Sequence, residues 1–287
     1  MEKKIRQIIP AQKVNMGGHM LDQPLPVHGL DYVDPFLLIH HWKSEIKAGS
    51  NQNEVGVGPH PHRGFSPVTF IFKGNVEHRD SLGNRAIVQE GGTQWMFAGS
   101  GLTHSERHSK DFVKKGGELE FIQFWVNTPG EHKMKPPFYK PLSKEETPAI
   151  ETDKSKIYVV SGELNGIKGA VETYSPQLLL RGEVKENGEV SIPIPANYNT
   201  ILYLLDGEMI VNESKVNAKD MVVYELEEGN VSFKATKDTR FMILSGEPIG
   251  EEIAQYGPFV MNSQTEVMQA LRDSQMGKMG VLIEEFD

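Results

Sequence analysis

The chain of 287 residues contains no cysteine. This absence excludes disulfides, thiolate zinc sites, iron–sulfur clusters and cysteine nucleophiles, so any bound metal must be held by histidine, carboxylate or water. Long apolar runs are also lacking: no segment approaches the roughly 18 residues of a membrane-spanning helix, and the N-terminus has no signal-peptide core. We therefore expect a cytoplasmic protein without membrane contact, whose metal-binding candidates lie among its ten histidines.

Positive charge is in deficit. The chain has 39 acidic and 30 basic side chains, a formal net charge of −9. This sign disfavours binding to a phosphate backbone, so we expect no direct contact with nucleic acid. The apolar content of 38%, together with 28 glycines, is typical of a globular chain, and the length suggests about two domains.

Short apolar segments between scattered glycines and prolines predict an all-β fold. Residues 68–72 (VTFIF), 120–126 (EFIQFWV) and 201–205 (ILYLL) are rich in β-branched and aromatic residues and are bounded by turn residues. A helical pattern appears near the end, where Ser263 with Glu266 three residues later predicts a capped helix over about 263–277.

The chain divides at a proline-rich stretch. Residues 131–150 contain little periodic apolarity, which is typical of a linker that cannot join a central sheet. We therefore predict an N-terminal domain over 1–130 and a C-terminal domain over 151–287. The two resemble diverged copies, because a shift of 133 positions places PVTFIFKG (67–74) on TILYLLDG (200–207).

Two short motifs in the first domain predict a metal site. His60 and His62 are two residues apart, so a strand would point both imidazoles to one face. Alone, such a pair is more often a pair of surface imidazoles. His104 and Glu106 repeat the spacing and would supply a third imidazole and a carboxylate. This set suits iron(II), manganese, cobalt, nickel or copper(II), and leaves coordination positions open for a substrate or oxygen.

The sequence resembles the pirins, a branch of the cupin superfamily. The resemblance spans nearly the whole chain and is carried by four segments: HPHRGF (60–65), EHRDSLGN (77–84), QWMFAGSGLTHSE (94–106) and YGPFVMN (256–262). It implies a bicupin, two β-barrel jelly-roll domains with a short C-terminal helix. It also implies a metal, most often iron(II), in the N-terminal barrel, held through His60, His62, His104 and Glu106.

In the second barrel, the repeat alignment replaces the four ligands by residues that do not bind metals: Pro193, Pro195, Ser232 and Lys234.

Among pirin-like proteins, the implied activity is a quercetin 2,3-dioxygenase that cleaves a flavonol with O2 and releases carbon monoxide. Glu106 would be both metal ligand and catalytic base, taking the proton of the substrate's 3-hydroxyl group. An alternative is an iron- or redox-sensing protein that binds a transcription factor or a metabolic enzyme. A third is isomerisation or hydrolysis of a small sugar or keto acid, as in other cupins.

Further residues are candidates for supporting positions. We interpret His78 and Asp80 as structural or as supporting the metal ligands. Six apolar residues are candidates to line a pocket for a flat aromatic substrate, although half of them would belong to the core: Phe70, Phe72, Trp95, Met96, Phe97 and Phe124.

Overall fold

A computed structural model describes residues 1–286, and nearly all of its regular structure is β-strand. The strands up to residue 151 are β1 (Ile5–Pro10), β2 (Gln12–Met16), β3 (His19–Leu25), β4 (Phe36–Ile46), β5 (Val57–His62), β6 (Phe65–Lys73), β7 (Asn75–Asp80), β8 (Arg85–Gln89), β9 (Thr93–Phe97), β10 (Leu102–Arg107), β11 (Gly117–Asn127), β12 (Phe138–Leu142) and β13 (Ala149–Glu151).

The later strands are β14 (Ser155–Ser161), β15 (Glu163–Leu164), β16 (Ile167–Lys168), β17 (Gln177–Val184), β18 (Glu189–Ile194), β19 (Asn199–Asp206), β20 (Glu208–Val211), β21 (Ser214–Asn217), β22 (Asp220–Tyr224), β23 (Gly229–Ala235), β24 (Thr239–Gly246), β25 (Ala254–Tyr256) and β26 (Phe259–Met261). The helices are α1 (Lys110–Lys115), α2 (Gln264–Gln275) and a single 3-10 turn (Gly130–His132).

The chain forms two compact units, and each unit is made of two separate segments. The apolar unit consists of Met1–His40 and Glu145–Ile249, and the histidine unit consists of His41–Lys144 and the chain from Gly250 onward. These units differ from the predicted domains 1–130 and 151–287 at both chain ends.

The units differ from the predicted domains because strands and helices from the two chain ends pair and pack with distant segments. β1 pairs with β22 within the apolar unit, and α2 packs on the β25–β26 hairpin within the histidine unit. The predicted linker 131–150 differs as well, because it contains β12, which pairs with β9 in the histidine unit. β12 is an edge strand, a position in which a proline is tolerated.

The apolar unit contains a seven-stranded sheet in the order β1-β22-β19-β24-β17-β14-β13 and a four-stranded sheet in the order β18-β23-β20-β21. Aliphatic side chains alternate along its strands: β18 buries Val190, Ile192 and Ile194 and exposes the residues between them. This period of two directs one face of each strand into a continuous core.

The repeat alignment of the sequence is wrong in register within this unit. Pro193 and Lys234, expected at ligand positions, lie on the exposed face of β18 and β23, and Ser232 is half-buried on the same face, next to Ser191. The inward positions hold aliphatic and aromatic residues such as Ile192 and Phe233. A slip of one residue moves every side chain of a strand to the other face, which explains the error.

The histidine unit also combines a larger and a smaller antiparallel sheet. The larger one includes the order β12-β9-β6-β11, and the smaller one has the order β5-β10-β7-β8. β6 pairs along its whole length with the later part of β11, from Phe65 opposite Asn127 to Lys73 opposite Glu120. Two units of paired antiparallel sheets confirm the predicted all-β, two-domain jelly-roll class.

The C-terminal helix α2 confirms the predicted capping signal. The Ser263 hydroxyl accepts a hydrogen bond from the backbone N–H of Glu266 at 3.3 Å, and the Glu266 carboxylate accepts one from the Asn262 N–H at 3.1 Å. The helix buries Val267 and Ala270. None of the helices in residues 1–286 is long and apolar enough to cross a bilayer.

Candidate metal centre

Two neighbouring strands bring three of the four predicted ligands together. β5 and β10 are antiparallel, with His104 directly opposite His60 and Leu102 opposite His62. One ligand atom from each histidine lies within 4.8 Å of those of the other two. The ring centroids are 4.3 Å apart for His60 and His104 and 5.0 Å apart for His62 and His104.

The hydrogen bonds of these histidines leave one nitrogen of each ring available. His60 Nδ1 lies 2.8 Å from the carbonyl of Gly58, and His62 Nδ1 lies 3.3 Å from the carbonyl of Pro258. Since a carbonyl only accepts, each Nδ1 carries the proton and each Nε2 keeps its lone pair. His104 Nε2 is buried and has no hydrogen-bond partner among residues 1–286.

Burial keeps two of the three imidazoles, those of His62 and His104, neutral. Desolvation, reinforced by His60, lowers the pKa of His62 well below 6.5. Desolvation also lowers the pKa of His104 well below 6.5, with further contributions from His60 and His62. Because a histidine must lose its proton to bind a metal, the lowered pKa values of His62 and His104 and the short distances among the three rings fit a transition-metal site.

Glu106 lies near these histidines but outside their group. It follows His104 on β10 after a register shift relative to β5, so that it is opposite Val57. Its carboxylate accepts hydrogen bonds from the side-chain amides of Gln94 and Gln123, the latter at 2.9 and 3.1 Å. Coordination by Glu106 therefore stays a prediction, while a carboxylate oriented by two amides is present.

The two glutamines were missed in the sequence. Gln94 on β9 and Gln123 on β11 are both directly opposite Thr69 on β6, so the three side chains form one row across the larger sheet. Gln94 Nε2 also donates to the Thr69 hydroxyl at 3.2 Å. The sequence did contain a signal for both glutamines, since each is a polar residue at an inward position of a strand. A buried polar side chain needs a hydrogen-bond partner inside the protein.

The aromatic rings around the site differ from the predicted set. His62 makes edge contacts with Phe65 and Trp125, at centroid distances of 5.1 and 5.6 Å. Phe65 is completely buried, as are Phe70 and Phe124, which pack against each other. Tyr139, from the segment predicted to be a linker, stacks on His78 at 3.6 Å with the rings almost parallel.

His78 and Asp80 lie on β7, the other neighbour of β10, and both are buried. His78 Nε2 lies 3.0 Å from Asp80 Oδ2, and His78 Nδ1 lies 3.4 Å from His104 Nδ1. Burial alone would raise the pKa of Asp80, but hydrogen bonds from His78 and Asn84 lower it on balance.

The C-terminal segment packs over residues next to the ligands. Arg107, which follows Glu106, forms an ion pair of 2.8 Å with Glu284, and both side chains are more than nine-tenths buried. Arg63, which follows His62, pairs with Asp273 of α2 at 3.0 Å. Hydrogen bonds from Lys278 and Arg63 lower the pKa of Asp273 to about 2. These contacts attach both ligand strands to the last part of the chain.

Comparison with family models gives two matches. Residues 18–126 match the pirin model, and residues 179–280 match the model of the pirin C-terminal cupin domain. A pirin-like protein of Solanum lycopersicum is 36% identical over 255 residues, which cover 88% of this chain and 84% of that protein.

Solved structures agree with this assignment. A crystal structure of quercetin 2,3-dioxygenase from Acinetobacter baumannii is similar with a TM-score of 0.92 and 33% identity, covering 99% of this chain and 100% of that one. A bacterial pirin from Escherichia coli in complex with nickel(II) has the same fold, with a TM-score of 0.65, 21% identity, and coverage of 86% and 98%. The resemblance noted in the sequence is confirmed, and the chain belongs to the pirin family.

Proposed function

We propose that this protein is a metal-dependent dioxygenase that cleaves a flavonol such as quercetin with O2 and releases carbon monoxide. The observation that carries the proposal is the convergence of His60, His62 and His104, whose possible ligand atoms lie within 4.8 Å of one another in the histidine unit. The likeness to a quercetin 2,3-dioxygenase along the whole chain supports this chemistry among those that a cupin site can perform.

The donor set fits an ion of the first transition series. Three imidazoles and a nearby carboxylate suit iron(II), which we expect, and also manganese, cobalt, nickel or copper. When bound, the ion supplies a Lewis acid and a template that holds substrate and O2 together. The nickel(II) found in the Escherichia coli pirin supports testing this metal beside iron.

Glu106 is the residue that we propose as the catalytic base. Its carboxylate is ready to accept the proton of the substrate's 3-hydroxyl group at an Oε atom, and the amides of Gln94 and Gln123 hold it in place. A base must lie within hydrogen-bond reach of the proton that it takes, so what the two amides contribute is the fixed position of this carboxylate.

The substrate is a flat aromatic molecule in this proposal. The half-buried Trp125 stands next to His62, and its ring centroid lies 4.3 Å from that of the completely buried Phe65. Aromatic rings of this kind bind planar ligands through stacking and edge contacts. They would orient the flavonol so that its hydroxyl group lies near Glu106.

Turnover tests the proposal directly. Metal-free protein is loaded separately with iron(II), manganese, cobalt, nickel and copper, then mixed with quercetin in air while loss of visible absorption and release of carbon monoxide are followed. Glu106→Gln, which keeps the side-chain volume, should reduce the rate by about 10²- to 10⁴-fold. Glu131→Gln, at an exposed glutamate of the same unit, should leave it unchanged.

Absence of turnover with every metal would reject the dioxygenase proposal and favour the alternative of an iron-sensing protein that regulates a partner. Full activity of Glu106→Gln would remove Glu106 as the base without removing the metal site.

A further inference from the structure

The three histidines differ in what holds their second nitrogen. His60 and His62 each use a backbone carbonyl, which can only accept a proton and therefore fixes the tautomer directly. In the described residues 1–286, no backbone carbonyl is the partner of the second ring nitrogen of His104. Its Nδ1 faces the Nδ1 of another imidazole, His78, at 3.4 Å.

A contact between two imidazole nitrogens requires one proton. Two protonated nitrogens would repel each other, and two lone pairs would leave both buried nitrogens without a hydrogen bond. The contact between His78 and His104 thus allows two arrangements, with the shared proton on one ring or on the other. In only one of them does His104 Nε2 have a free lone pair.

Asp80 selects between the two arrangements. Its Oδ1 accepts from the backbone N–H groups of Leu82 and Asn84, at 2.9 and 3.0 Å. Its Oδ2 accepts from the Asn84 side-chain amide at 2.8 Å and lies 3.0 Å from His78 Nε2. The carboxylate is surrounded by donors, so His78 Nε2 must donate to it. His78 Nδ1 is then the acceptor.

Packing fixes the orientation of this chain of contacts. His78 is completely buried, and the ring of Tyr139 lies parallel to it with an interplanar angle of 2°. The strand register places His104 opposite Asp80 and Glu106 opposite His78. His78 and Asp80 thus both come from β7, the strand next to β10. The His78 ring therefore keeps one nitrogen toward Asp80 and the other toward His104.

We propose that His78 and Asp80 are positioning residues of the metal centre, which set the tautomer and ring orientation of His104 through a carboxylate–imidazole–imidazole chain. His104 Nδ1 donates to His78, and His104 Nε2 presents its lone pair to the ion. The buried, unpartnered state of this Nε2 is what the chain of contacts produces. The inference rests on the metal site of the proposed function.

Metal binding and spectroscopy test the inference without any substrate. His78→Phe removes both ring nitrogens but keeps an aromatic ring beside Tyr139, and His78→Asn retains an acceptor close to the position of Nδ1. The probe is Co(II), whose visible absorption reports its ligand geometry. We expect His78→Phe to weaken Co(II) binding by about 10- to 100-fold and to change the absorption bands, while His78→Asn recovers part of the affinity.

The matched control is His41→Phe. His41 is another completely buried histidine with a carboxylate partner, Glu120 at 3.1 Å, in the same unit. Its loss should reduce stability while leaving Co(II) affinity and spectrum unchanged. If the wild-type protein does not bind Co(II), the metal site itself fails. If wild type binds and His78→Phe binds equally tightly with the same spectrum, the positioning inference fails alone.

A measurement on the wild-type protein covers the case in which a His78 variant does not fold. Nitrogen-15 NMR of the metal-free protein distinguishes the two imidazole tautomers, and His104→Ala assigns the signal. We expect His104 with its proton on Nδ1. A proton on Nε2 would overturn the inference.

Discussion

The histidine unit and the apolar unit use similar strand pairs for opposite interiors. In the histidine unit, β5 and β10 pair so that His60 lies opposite His104. In the apolar unit, β18 and β23 pair so that Ile192 lies opposite Val231, and both are completely or nearly completely buried. One pair of strands thus presents imidazoles, whereas the other contributes aliphatic groups to a core.

The difference shows what a polar interior requires. A buried polar group is costly unless it is hydrogen-bonded, and the histidine unit meets this condition with dedicated partners. The Glu106 carboxylate has two amides, and His78 has Asp80. The aliphatic core of the apolar unit needs no such network, because its side chains gain free energy directly from burial.

The largest expected effect comes from His104→Ala, which should separate metal binding from stability. Removing one of three converging nitrogens should weaken metal binding by more than the 10- to 100-fold typical of a supporting group. Isothermal titration with Co(II) or Ni(II) measures this loss. Circular dichroism should show a folded protein, and His132→Ala, at a histidine outside the site, should bind normally. If His104→Ala bound the metal as tightly as the wild type, the histidine unit would not differ from the apolar unit by a metal site that includes His104.

Phe241→Ala in the apolar unit should have the opposite profile. Phe241 is completely buried, and its ring packs edge-on against Phe233 at 4.9 Å. Its truncation should lower the free energy of unfolding by about 3–5 kcal/mol through lost burial and a cavity. Chemical denaturation measures the loss, and metal affinity of the folded variant should equal that of the wild type. Weaker metal binding in this variant would show that metal affinity depends on the core of the apolar unit as well as on the histidine unit.

Acid stability sharpens the comparison through His40, a buried histidine of the apolar unit whose hydrogen-bond partner is Gln23 at 2.9 Å. Burial lowers the pKa of His40 to about 4. Between pH 6.5 and 4 the His40 side chain is protonated in the unfolded chain but not in the folded protein. The free energy of unfolding therefore decreases by about 1.4 kcal/mol for each pH unit by which the solution is acidified.

His40→Gln should remove that part of the slope when unfolding of metal-free protein is followed from pH 4.5 to 6.5. His28→Gln, at an exposed histidine of the same unit, serves as the control. An unchanged slope in His40→Gln would mean that His40 does not carry the effect.

The smallest effect is expected from Glu284→Gln in the histidine unit. The change removes the charge that pairs with Arg107 behind the ligand strand β10. Because glutamine keeps an oxygen that accepts a hydrogen bond from Arg107, we expect a loss of only about 1 kcal/mol in unfolding free energy. Lys168→Met, which breaks an exposed pair with Glu172, should cause no measurable change. Equal results for both variants would show that the buried position of Glu284 adds nothing.

The sequence was sufficient where local pattern determines structure. Alternating β-branched residues predict the strands, and Ser263 with Glu266 predicts α2, because these signals depend on neighbours along the chain. The spacing of His60 and His62 is local in the same sense. Their approach to His104 depended on β5 and β10 being neighbours, which the repeated motif suggested and the structure shows.

Features that depend on distant pairing were missed. Gln94 and Gln123 reach Glu106 from other strands, and no spacing in the sequence links them. Tyr139 lies in a proline-rich stretch whose pairing with β9 is not visible from composition. The register of β18 failed for a related reason, since alignment by similarity does not specify which face of a strand is buried.

Because the histidine unit is made of two separate chain segments, truncation of the protein would remove part of it. A fragment ending at residue 144 would encode His60, His62 and His104, yet it would lack Pro258, whose carbonyl holds the His62 ring. It would also lack Asp273, the partner of Arg63. We therefore expect that capture of an ion requires residues that are synthesised well after all three histidine donors.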